Sequence, residues 1–173
     1  AAQITNIGWT ALSDIVEKRS YSKKLQYHPE GKPYVEIMLP KSNFKGLKYT
    51  KEDGTRKTDE ELLKEIQDAG LDTMIGYRIP TEGKQSICVM KVVGFTDDAL
   101  GSTIVVPDDW VSQTGSDFDI DSVYGIHFSG EVNKETGKLE KIPYNEEDKR
   151  SERKTKGRNN EILQTMIEIL SDP

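Results

Sequence analysis

The sequence predicts an α+β protein built round one closed or folded-over sheet. Two patterns carry that expectation. Between residues 71 and 128, DTMIGYRIPT, SICVMKVVGF, STIVV and SVYGIHF are short apolar or alternating runs broken by Gly, Asp and Pro, as strands are. Helical spacing of apolar residues appears instead at 58–70 and again at the C-terminus. With 173 residues, 34% hydrophobic and 31% charged, the chain can bury one core and is too apolar for a disordered tail.

The elements follow in order. Trp9, Leu12, Ile15 and Val16 share a face of a short helix, and a loop runs from there to residue 32. Val35, Ile37 and Leu39 alternate with Glu36 and Met38, which predicts a half-buried strand ended by Pro40. Residues 41–57 form a polar connection with a turn at Asp53-Gly54. Thr58 and Glu61 make a capping box ahead of Leu62, Leu63 and Ile66, and Gly70 stops that helix. Pro107 with Asp108 and Asp109 starts one or two helical turns that Gly115 ends. Residues 131–144 suggest a hairpin turning at Glu135–Gly137. The mixed-charge stretch 145–158 reads as a solvated linker despite its many basic residues, and Asn159 as the cap of the last helix. On that helix Ile162, Leu163, Met166, Ile167, Ile169 and Leu170 are expected to share one face.

Bulk properties narrow the function. A net charge of −6 argues against gripping nucleic acid by overall electrostatics. No run approaches the roughly 20 apolar residues that span a bilayer. The first residues lack the basic flank and apolar core of a signal peptide. The single cysteine, Cys88, lies in the apolar run SICVMKVV, which predicts a buried, inert thiol in a reducing compartment. A start without Met and an abrupt end after a helix suggest a piece of a longer chain.

The chemistry concentrates in GSDFDIDSVYG, residues 115–125, where Asp117, Asp119 and Asp121 alternate with Phe118 and Ile120. Three carboxylates this close repel unless a cation sits among them. In a flat strand the outer two Cα atoms would stand about 13 Å apart, whereas oxygens sharing one ion lie about 2.0–2.6 Å from it. The segment must therefore curl, and Thr114-Gly115-Ser116 and Ser122 suit a bend. All-oxygen donors favour Mg²⁺ or Ca²⁺ over Zn²⁺. An EF-hand fails, because its Gly and Glu positions hold Ser122 and Phe128. An exposed acidic turn without an ion is the plain alternative.

Lesser candidates are read both ways. Lys84 and Lys91 flank Arg78 and could meet phosphate, although such lysines are more often solvated. Asp97-Asp98 reads as a turn, His127 as a structural or exposed imidazole, and Trp9 and Trp110 as anchors of short helices.

GSDFDID resembles the metal-binding loop of multisubunit-type RNA polymerases, the D-F-D-G-D signature of a double-psi β-barrel. Upstream, Tyr77-Arg78-Ile79-Pro80-Thr81 is similar to that family's N-R-x-P-T, and the 39-residue interval from Arg78 to Asp117 matches in order and spacing. The nearest resemblance is to the single-chain, two-barrel RNA polymerases of crAss-like bacteriophages, whose loop also carries D-F-D-I-D. The motifs cover roughly residues 71–130. Three positions depart from the general pattern: Gly115 and Tyr77 stand where the family has Asn, and Ile120 where it has Gly.

The resemblance implies a double-psi β-barrel-like core over 33–130 with a few flanking helices. The helix 58–70 is then an insertion, 1–32 an N-terminal helix and loop, and 131–173 a hairpin, linker and helix. It implies that Asp117, Asp119 and Asp121 hold a catalytic Mg²⁺, a second Mg²⁺ arriving with the NTP. It implies that Arg78 reads the ribose hydroxyls beside a wall shaped by Pro80. The partners would be NTP, RNA product, DNA template and a second, lysine-bearing barrel. The location would be the host cytoplasm or the virion, with no membrane. The expected function is thus nucleotidyl transfer by a fragment of a DNA-directed RNA polymerase, inactive alone for want of the other barrel. Two alternatives stand beside it: a non-enzymatic β-barrel or assembly module stabilised by a divalent cation, and an RNA-templated polymerase of the silencing type.

Overall fold

The computed structural model describes residues 25–27, 29–44, 46–78, 87–97, 99, 101, 103–113 and 123–172. The predicted N-terminal helix, the stop at Gly115 and the aspartate triplet lie outside them.

The architecture is mixed α+β. Strands β1 (Val35–Pro40), β2 (Thr73–Arg78), β3 (Ile87–Thr96) and β4 (Val123–His127) form one sheet in the order β1-β3-β2-β4. β1 runs parallel to β3, while β2 is antiparallel to both β3 and β4. Strands β5 (Gly130–Val132) and β6 (Leu139–Lys141) form a separate hairpin. Among the described residues the four-stranded sheet is open. Of the run STIVV, the described residues contribute one bridge, Val105 to Met38.

Several local predictions are met for the physical reasons that made them. Val35, Ile37 and Leu39 are buried in β1, and Pro40 is its last residue. Helix α1 (Asp59–Asp68) starts at the capping box, with Glu61 N–H donating to Thr58 Oγ1 and Thr58 N–H to Glu61. It ends in a Schellman turn: Leu71 N–H reaches Ile66 O, Gly70 N–H reaches Gln67 O, and Gly70 takes a positive φ. Asp53 Oδ1 accepts from Thr55, and Gly54 sits at φ 84° in the predicted turn. The β5–β6 turn closes through Gly137 N–H to Asn133 O.

The end of the chain differs from expectation. Helix α3 spans Ser151–Ser171, so it absorbs residues 151–158 that composition assigned to a linker, and Asn159 is interior rather than a cap. Charge content says nothing about conformation; Glu, Arg, Lys and Thr here continue a helix, with Lys156 Nζ 2.7 Å from Glu152 at i,i+4 spacing. Nor does the six-residue apolar stripe pack as one face. Leu163 and Ile167 are buried together with Gly157 and Asn160, while Ile162, Met166, Ile169 and Leu170 remain exposed. The contact line was drawn by two residues that hydropathy ignores. Gly157 lets the helix backbone approach Pro143 and Tyr144. Asn160 accepts from Ser129 N–H and donates to Ser129 O and Ile142 O.

The sheet separates two apolar clusters. Ile75 and Val89 meet Leu62 and Ile66 of α1, Leu163 and Ile167 of α3, and Leu139 of β6 on one side. Met74, Met90 and Val92 meet Val35, Ile37 and Trp110 on the other. Gly76 and Gly125 are glycines for a packing reason: the methionine side chains of Met90 and Met74 occupy the space a Cβ would need.

Candidate functional site at one end of the sheet

The last residue of β2 and the first of β4, each next to one of the two motifs, meet through strand pairing. β2 ends at Arg78, and its register partner across the ladder is Val123, the first residue of β4. Val123 follows Asp121 by two residues. Cα atoms of antiparallel partners stand about 5 Å apart. Arg78 is therefore a backbone neighbour of the strand into which the acidic segment leads. β3 begins at this same end, with Ile87 opposite Tyr77 and Cys88 opposite Gly76.

The other flank of the acidic segment is held as well. Helix α2 (Asp108–Gln113) follows Pro107, as its acidic first turn predicted. Trp110 is buried against the second cluster, and its indole N–H donates to Cys88 Sγ at 3.2 Å. Segment 114–122 thus runs from a helix pinned to β3 at Cys88 into a strand paired with β2 at Arg78. Asp117, Asp119, Asp121, Pro80 and Lys84 lie outside the described residues. Among the described ones, no group of three or more His, Cys, Asp or Glu side chains could hold a metal.

Burial sets the titration of the neighbouring groups. It pushes the Cys88 thiol up to about 11, against a smaller downward pull from the Trp110 hydrogen bond. The direction is that of the inert thiol expected from its apolar run, although Cys88 is half-buried rather than buried. Burial also raises Tyr27, helped by the nearby Cys88 and Asp109.

Lys91 does not flank Arg78. Its register partner on β2 is Thr73, at the opposite end of that strand. There its ammonium stands 3.8 Å from Asp72 and over the Tyr34 ring. Alternation in a strand specifies a side, but only the register specifies an end. His127 is exposed on β4, its Nδ1 3.1 Å from Phe128 O, so it is neither buried nor grouped with other ligands.

Sequence reasoning passed over Tyr124. Its ring stacks on Tyr77 across the β2–β4 ladder, with centroids 5.5 Å apart. The signal was present as an alternating SVYGIHF run, but the pairing partner was not readable. Charged contacts gather elsewhere: Arg153 bridges Glu131 and Asp148 where α3 meets β5.

Among the described residues, no helix is long and apolar enough to cross a membrane. No protein family and no curated protein matches this sequence.

Proposed function

We propose that the chain is the catalytic-barrel portion of a DNA-directed RNA polymerase of the two-barrel type, and that its sheet belongs to a double-psi β-barrel. One observation supports this above the rest: the Arg78–Val123 register, which sets a residue of one polymerase-like motif opposite a residue two positions past the other.

In this reading Asp117, Asp119 and Asp121 supply only oxygen donors, a set that suits Mg²⁺. Bound Mg²⁺ supplies Lewis acidity for the 3′-hydroxyl and for the departing pyrophosphate. The chain's own part is to present those carboxylates from a segment pinned at both flanks, and to contact the ribose hydroxyls with Arg78 beside Pro80. A site held from two sides loses less entropy on ordering than a free loop. The triphosphate requires cationic groups from a second barrel, so this chain alone binds metal weakly and polymerises nothing.

The test is an NMR titration with Mg²⁺ and paramagnetic Mn²⁺ at millimolar concentration. Amides of residues 115–122 are expected to respond first, and Asp119→Asn to weaken the response at least tenfold. An unmoved loop sinks the proposal. Strong thermal stabilisation by Ca²⁺ with none by Mg²⁺ would instead favour an ion-stabilised module without catalysis.

A further inference from the structure

We draw no further inference here: the strongest candidate, the open cleft of about 650 Å³ between α1 and the β5–β6 hairpin, is lined among the described residues by four lysines and four carboxylates, so nothing on its walls selects the charge or the chemical class of what would fill it.

Discussion

Replacing Gly157 by Ala sets two effects of opposite sign against each other. Glycine inside a helix costs about 1 kcal/mol relative to alanine, so propensity alone predicts a more stable protein. Packing predicts the reverse. A Cβ on residue 157 would press on Pro143 O and stand 2.8 Å from its carbonyl carbon and 2.9 Å from Tyr144 Cα. These are backbone atoms, which cannot swing aside as a side chain can. Reaching ordinary contact near 3.5 Å means moving α3 outward by about 1 Å. That movement stretches the three hydrogen bonds of Asn160, now 2.8, 2.8 and 3.0 Å. It also loosens Leu163 and Ile167 in the first cluster. Overpacking costs about 1–3 kcal/mol, and each weakened buried hydrogen bond about 1 kcal/mol. Packing wins by about 2–3 kcal/mol net, which for a chain of this size lowers the melting temperature by about 4–12 °C. Thermal and urea unfolding followed by circular dichroism would measure it. A Gly157→Ala protein that melts at or above the parent temperature would refute the close approach of α3 to residues 143–144.

Two further outcomes rest on titration. With its thiol raised to about 11, Cys88 should react with iodoacetamide at pH 8 roughly 100-fold more slowly than a free thiol; labelling at the free rate would contradict its partial burial against Trp110. Asp148 is held at about 2, first by the Arg150 backbone N–H and then by the Arg153 guanidinium. Its folded value lies below the unfolded one, so its contribution is complete above about pH 4 and is lost as pH falls towards 2. Glu131, lowered chiefly by its bonds to Arg153, adds in the same direction. Asp148→Asn should flatten the decline in melting temperature across that window, and an unchanged slope would remove the Asp148–Arg153 contact from the account of α3 docking.

What could be read from the chain alone was whatever local chemistry decides. The capping box at Thr58 and Glu61, the Gly70 stop, the Asp53-Gly54 turn and the β1 alternation depend on neighbours within a few residues. The acid-rich start of α2 and the turn before β6 were legible for the same reason. The aspartate triplet was visible as residue types whose spacing suggested oxygen ligation, while the sugar contact of Arg78 was implied only by the resemblance to RNA polymerases. Tertiary structure decided everything that depends on which distant segments meet. It set Arg78 opposite Val123 and moved Lys91 to the other end of β2. It ran α3 back through a stretch whose charges suggested a linker, and it chose Gly157 and Asn160 over four large apolar residues as the line of contact. The physical reason is common to these cases: strand register and helix docking are settled by backbone complementarity between segments far apart in sequence, which no local pattern encodes.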